Sequence, residues 1–225
     1  MVRIGSGDVR PGVAPMSLAT LFTLADSRLP VGGHVHSGGV EEAVASGLVR
    51  DVVTLELYLR RRIRTSGLVA ASLAAAVCAG EWDARRAEGE ADARTPAPAA
   101  RAASRAQGRG LLRLAKQVWP QQDWRELGTR PHLSTVFGVV GIAAQVSARE
   151  IAEVVVYTTM TGAATAAQRL LALDPAAVAA GTIRLAELCD RTAAEAARGP
   201  AAVSDPLQDV LAQRHPDRPM PLFAS

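Results

Sequence analysis

Two pairs of side chains that could do chemistry lie close together in the first fifth of the chain, His34 with His36 and Glu41 with Glu42. The histidines stand two positions apart, so in an extended segment they point to the same side and could chelate a metal ion. No third ligand lies nearby in the sequence, which favours two ordinary loop histidines. The glutamates could form an acid and base pair, but adjacent helical residues project about 100° apart and cannot share one proton. A small enzyme that uses Glu41, His36 and Arg169 on one substrate therefore stays an alternative only.

Lysine and cysteine are too sparse for several common chemistries. Lys116 is the single lysine among the 25 basic residues, and it follows Ala115, whereas a phosphate-binding P-loop needs lysine directly after glycine. Its place in a basic amphipathic helix also disfavours a Schiff-base role. Cys78 and Cys189 lie far apart without a CxxC motif, which predicts free thiols in a reducing compartment.

Arginine dominates the positive charge, and one run raises the question of nucleic acid. The formal net charge is only +3, too small an excess to indicate a nucleic-acid partner. Four arginines lie between positions 60 and 64, but helical spacing spreads them over more than one face, and Tyr58 is the only nearby aromatic residue. We therefore favour a solvated or partner-facing helix edge, with a helical nucleic-acid-binding regulator as the alternative.

The composition predicts a cytosolic, soluble, helical protein. Of the 225 residues, 48% are hydrophobic but only 4% are aromatic, so the core must consist mainly of alanine, leucine and valine in closely packed helices. No charge-free apolar run of about 18 residues occurs, and the first residues lack the apolar core of a signal peptide. We expect neither a membrane span nor a bound cofactor.

The elements that must position these side chains centre on a glycine-rich loop. Pro30 ends the first helix, and two glycine pairs follow it, one beginning at Gly32 and one ending at Gly39. Each pair permits a left-handed backbone or a close approach of another chain segment. Ser37 is the predicted N-cap of the next helix, which would run to Gly47 or slightly beyond.

Hydrophobic periodicity extends this pattern to one all-α domain of about eight to ten helices. We assign residues 1–15 to a flexible tail, 16–214 to the domain and 215–225 to a C-terminal docking tail. Asp51 is the predicted cap of a long helix that continues to about Cys78. A later helix should begin at Asp174 and continue the core, with Ile183 among its apolar residues, to about position 197.

Two further arginine patterns suggest binding surfaces. In the helix predicted over 99–118, arginine recurs every four residues and forms a basic stripe made of Arg101, Arg105, Arg109 and Arg113. Gly108 in the same helix costs about 1 kcal/mol relative to alanine, so we expect it to admit another helix closely. Arg169 is the one charge in the apolar second half of its helix, and a buried arginine there must be paired or must serve a partner.

Five segments in chain order resemble the UreF family of urease accessory proteins. The first and most specific runs from Leu29 to Glu41, where His34 and His36 stand in place of the family's aromatic residues. The others are the segments 104–109, 132–138 and 168–171 and the last four residues, 222–225, before which Pro221 replaces an arginine usual in the family.

This resemblance implies an all-helical, non-enzymatic factor in urease maturation. Such a protein would bind the accessory protein UreD, also called UreH, and would recruit or regulate the GTPase UreG to place nickel in apo-urease, as a homodimer within the complex. No nucleic acid and no metal ligand of its own are implied. The residues expected to bind partners are Pro30, Gly32, Ser37, Gly39, Glu41, Arg101, Ser104, Arg109, Arg169, Leu222, Phe223 and Ser225.

Overall fold

A computed structural model of the chain describes residues 18–29 and 36–215, and every regular element of more than one residue in these ranges is helical. A π turn at Ile63–Gly67 joins the third and fourth helices into one continuous rod, and a short 3-10 turn covers Arg125–Leu127. With that rod counted once, the described ranges contain ten helices, which confirms the predicted all-α fold. The helices are α1 (Leu18–Ala25), α2 (Val40–Ala45), α3 (Val52–Arg62), α4 (Leu68–Cys78), α5 (Ala84–Ala93), α6 (Pro98–Val118), α7 (Leu133–Ala144), α8 (Ala148–Leu171), α9 (Pro175–Arg184), α10 (Ala186–Ala196) and α11 (Pro206–Arg214).

Helix starts follow the capping residues in the sequence. The carboxylate of Asp51 accepts the backbone N–H of Thr54 at 2.8 Å, and the Thr54 hydroxyl accepts the N–H of Asp51 at 3.1 Å. Ser147 and Glu150 form the same reciprocal box at the start of α8. Asp174 accepts two N–H groups at the start of α9, as predicted. These caps set where the long helices begin, and hence which faces they bury.

The centre of the fold is the triple contact of α4, α7 and α8. Nearly all of α4 and α7 is buried, as expected for a core rich in small residues. A β-carbon on Gly138 would lie 2.5 Å from Cβ of Val77, and one on Gly141 would lie 2.7 Å from Sγ of Cys78. The two glycines therefore let α7 lie almost backbone to backbone on α4.

The segment after α8 differs from the predicted single helix. The chain forms two helices, α9 and α10, which meet at the buried residue Leu185. Ile183, predicted in the core, is 73% exposed, so that assignment was wrong. The buried face of α9 carries Val178, as predicted, and Gly181, which packs against the side chain of Glu56. The exposed Arg184 forms an ion pair with the same Glu56 carboxylate.

Candidate functional site

Two left-handed glycines form the turn into α2. Gly38 has φ of 58° and Gly39 has φ of 86°, values that glycine adopts at little cost. A β-carbon on Gly38 would lie 2.5 Å from Nη2 of Arg62, and one on Gly39 would overlap the side-chain amide of Gln208. Side chains from α3 and α11 thus fill the room that a larger residue would need.

Ser37 does not cap α2, so that prediction was wrong. Gly39 occupies the N-cap position, and the left-handed turn carries the Ser37 side chain away from the first N–H groups of the helix. The backbone carbonyl of Ser37 instead accepts the N–H of Val40 at 3.2 Å. The Ser37 hydroxyl is buried and makes no hydrogen bond within the described residues.

The backbone carbonyl of Gly38 accepts hydrogen bonds from three side chains. Nη1 of Arg62 donates at 2.6 Å and Nε2 of Gln208 donates at 2.5 Å. The Tyr58 hydroxyl lies 3.1 Å from the same carbonyl and 3.0 Å from Oε1 of Gln208, so its proton is shared between them. Burial raises the pKa of Tyr58, which keeps the phenol protonated and able to donate. This single carbonyl therefore joins the loop to α3 and to α11.

An ion pair beside the π turn makes a second link between α3 and α11. Nη2 of Arg61 lies 2.6 Å from Oδ1 of Asp205, the N-cap of α11, and its Nε lies 2.9 Å from both carboxylate oxygens. Thr65 donates to the same carboxylate at 3.1 Å. Burial acts to raise the pKa of Asp205, but the hydrogen bonds from Arg61, the Gln208 backbone and Thr65 outweigh it and hold this pKa below its usual value.

A third link joins the loop to the end of α11. Oε2 of Glu41 lies 2.7 Å from Nε2 of His215, and the two side chains are only 4% and 2% exposed. Glu41 lies in the first turn of α2, while His215 directly follows α11. The carboxylate that could have served as a catalytic base is therefore part of a buried contact between two distant parts of the chain.

A second polar cluster lies where α5, α6 and α7 meet. Nδ1 of His132 lies 3.0 Å from the Ser104 hydroxyl, and its Nε2 lies 2.9 Å from Oδ1 of Asp92. His132 is 1% exposed, and the Ser104 oxygen also accepts the N–H of Leu133 at 3.2 Å. Although serine, histidine and aspartate form a chain, the serine oxygen is engaged at the first turn of α7, so the cluster fixes the approach of α7 to α6.

The basic stripe on α6 divides into an inner and an outer half. Arg105 donates to Glu88 at 2.9 Å and to Asp92 at 2.8 Å, both on α5. Arg101 donates to the carbonyls of the segment that precedes α6. Arg109 and Arg113 are exposed. The prediction of one continuous basic surface over four arginines was therefore wrong, because α5 supplies carboxylates to the first half.

A cavity of about 280 Å³ connects the loop with this second cluster. Its wall includes Ser37 and Arg62 on the loop side and Ser104 and His132 on the other side, and Gln208 of α11 contributes as well. His36 also lines it, whereas Glu41 and Arg169 do not. The three residues of the enzyme alternative therefore do not converge on one cavity.

The remaining predicted partner residues lie in three kinds of place. Arg169 is exposed near the end of α8, so the prediction of a buried arginine was wrong. Gly39 and Glu41 are buried inside the loop and its contacts. The following fall outside the described residues: Pro30, Gly32, Leu222, Phe223 and Ser225.

Sequence reasoning missed the residues that tie α11 to the loop. The run of arginines suggested an outer helix edge, but Arg61 binds the Asp205 carboxylate and Arg62 binds the Gly38 carbonyl. Of the four arginines in the run, only Arg60 and Arg64 are exposed and form no ion pair within the described ranges. The periodicity of α3 held a usable signal, because the buried Tyr58 precedes Arg61 and Arg62 by three and four positions, on one helix face. No local pattern indicated Gln208 or His215.

Two other kinds of feature are absent from the part of the chain that the structure describes. No group of three or more histidine, cysteine, aspartate or glutamate side chains is placed to hold a metal ion there. Within the same ranges, no helix is long and apolar enough to cross a membrane.

The fold and the site define an all-helical protein in which a glycine loop and the last described helix are joined by hydrogen bonds and an ion pair. The model of the UreF family matches residues 49–186 of the chain. The chain is 67% identical over 212 residues to the urease accessory protein UreF of Mycolicibacterium vanbaalenii, which covers 93% of this chain and 99% of that protein. It is 61% identical over 209 residues to UreF of Mycobacterium bovis and 60% identical over 209 residues to UreF of Mycobacterium tuberculosis, with the same two coverages.

The chain belongs to the UreF family of urease accessory proteins. It is therefore a urease maturation factor and has no catalytic role of its own. The predicted resemblance to the UreF family is therefore confirmed.

Proposed function

We propose that this chain is the adaptor of a cytoplasmic urease maturation complex. It binds UreD, recruits or regulates the GTPase UreG, and so helps to deliver nickel to apo-urease, with two copies of the chain in the assembly. The relatives are named as urease accessory proteins, and this identity supports partners of that system in general. The binding of UreD, UreG and apo-urease in particular is what we propose.

One observation carries the proposal, namely that the glycine loop contacts α11 and His215, the residues that directly precede the C-terminal segment. The Gly38 carbonyl, the Asp205 carboxylate and the Glu41 carboxylate all lie at the contact between the loop, α3 and α11. A partner that binds the segment after α11 would therefore meet a rigid base. A rigid base favours affinity because the domain itself loses little conformational freedom on binding.

Exposed arginines supply a second surface in the proposal. Arg109 and Arg113 extend from α6, and Arg169 extends from the end of α8. Exposed guanidinium groups are suited to carboxylates on a protein partner, where they affect association rate and specificity more than affinity. The two surfaces allow one chain to hold two different partners.

Co-purification with the UreD and UreG of the same genome tests this proposal. The intact chain should form a stable complex with UreD, and deletion of residues 219–225 should remove UreD. Replacement of Arg109 and Arg113 by glutamate should weaken one partner contact, while the same change at Arg85 on α5 serves as a matched exposed control. Failure of the intact chain to bind either protein would refute the adaptor function.

A further inference from the structure

Helix α11 is attached to the domain by polar contacts and little apolar area. Within the described part of the helix only Leu211 and Ala212 are buried. At its start Asp205 binds Arg61, and one turn later Gln208 binds the Gly38 carbonyl. A helix that depends on such directional contacts is positioned by them, because each fixes a distance and an angle.

The contact of Glu41 with His215 holds the other end of the helix. The Arg61 and Gln208 contacts lie at the first turn of α11, and His215 follows its last residue. Both partners of the terminal contact are almost fully buried, and they are separated by 174 positions in the chain. Removal of one partner would deprive the other buried side chain of this hydrogen bond, which is costly.

We propose that Glu41 and His215 are positioning residues that set where the C-terminal segment, 216–225, leaves the domain. The loop thereby controls partner binding through this segment, although Glu41 itself is buried and does not touch the partner. This inference rests on the proposed function, since it assumes that UreD binds the C-terminal segment. Glu41, the last residue of the segment from Leu29 to Glu41, then acts from inside the protein rather than on its surface.

Tryptic cleavage measures the position of the segment without any partner. The bond between Arg214 and His215 should be protected while His215 is buried, and the bond after the exposed Arg198 is an internal reference in the same chain. Glu41→Met, which has a similar length but no acceptor oxygen, should raise the cleavage rate after Arg214 about tenfold, the factor equal to 1.4 kcal/mol, which is within the range for a lost buried hydrogen bond. Cleavage after Arg198 should not change.

Three further variants separate a specific contact from general damage. His215→Phe, which keeps a ring but has no N–H, should raise the same cleavage, and the double variant with Glu41→Met should be cleaved no faster than either single variant, because both changes remove the same contact. The exchanged pair E41H/H215E should restore part of the protection. Glu195→Met, the same change at an exposed glutamate on α10, is the control and should leave the cleavage rate unchanged.

Binding to purified UreD completes the test. The variants that release the segment should bind UreD about tenfold more weakly, and the exchanged pair should regain affinity. Unchanged cleavage after Arg214 in both single variants would overturn the proposal, as would faster cleavage with unchanged UreD affinity. If the intact chain does not bind UreD, the proposed function fails, and this inference fails with it; raised cleavage would then show only that the contact holds the helix.

Discussion

Replacement of Gly108 by alanine should destabilise the protein, although alanine is the better helix former. A β-carbon at this position of α6 would overlap the carbonyl oxygen of Pro131 and would lie 3.0 Å from the carbonyl carbon of His132 and from the nitrogen of Leu133. All three atoms belong to the backbone, so no side-chain rotation can relieve the overlap. The start of α7 must move away from α6.

The expected change in the free energy of unfolding combines one stabilising effect with two destabilising effects. Alanine in a helix interior gains about 1 kcal/mol over glycine. Overpacking of a close helix contact costs about 1 to 3 kcal/mol, and separation of the helices also strains the hydrogen bonds of Ser104 to His132 and Leu133, each worth about 1 kcal/mol. The net loss in the free energy of unfolding should be about 1 to 4 kcal/mol.

Urea denaturation followed by circular dichroism measures this change, with Gly89→Ala as the matched control. Gly89 is also inside a helix, but a β-carbon there would meet no atom within 4 Å, so this substitution should stabilise the protein by about 0.5 to 1 kcal/mol. Opposite signs for the two variants are the expected result. A G108A protein as stable as the original would refute the close approach of α6 to α7.

Three other outcomes are expected. Gly39→Ala should lower the free energy of unfolding by about 2 kcal/mol, because alanine is strained in the left-handed conformation and its β-carbon would displace the side-chain amide of Gln208. Gly47→Ala has the same backbone strain but meets no neighbour, so it should cost only about 1 kcal/mol, and thermal unfolding compares the two variants. Because the pKa of Asp205 is lowered in the fold, its contribution to stability is present above the unfolded pKa near 3.9 and is lost as the pH falls through the lower folded value. The free energy of unfolding, measured from pH 7 to pH 3, should therefore fall less steeply for Asp205→Asn than for the original protein. Burial raises the pKa of Cys78 and of Cys189 to about 11, so neither thiol should react with iodoacetamide at pH 8 until the protein unfolds, as mass spectrometry can follow.

The helices and their starts could be predicted because their signals are local. Asp51, Ser147 and Asp174 cap the helices that follow them, and each acts within three residues along the chain. Gly108 was also correctly expected to admit another segment, since glycine weakens a long amphipathic helix and is tolerated where a neighbouring backbone needs the room. Periodicity and capping depend on spacing alone, which a single sequence contains.

The candidate site could be predicted only in part, because its contacts join distant segments. The loop was recognised from its glycines, yet the acceptor is a backbone carbonyl, that of Gly38, which no side-chain pattern reveals. Arg101 was predicted on an outer basic stripe from its spacing alone. In the structure it donates to carbonyls of the segment before the helix, and helical periodicity does not reveal such a contact. Arg169 was expected to be buried, but periodicity does not say which side of a long helix reaches solvent near its end.

The links between α11 and the loop also set an order of events during synthesis. Asp205, Gln208 and His215 meet partners made 144 to 174 positions earlier in the chain. At about 5 to 20 residues per second, a ribosome needs roughly 7 to 35 s to cover that distance. During this interval the contacts of Arg61, Gly38 and Glu41 with α11 and His215 cannot form. The last helix therefore binds the loop only when synthesis of the chain is almost finished. Truncated chains that end before α11 would therefore present an open loop, a state that cellular quality control could distinguish from the finished protein.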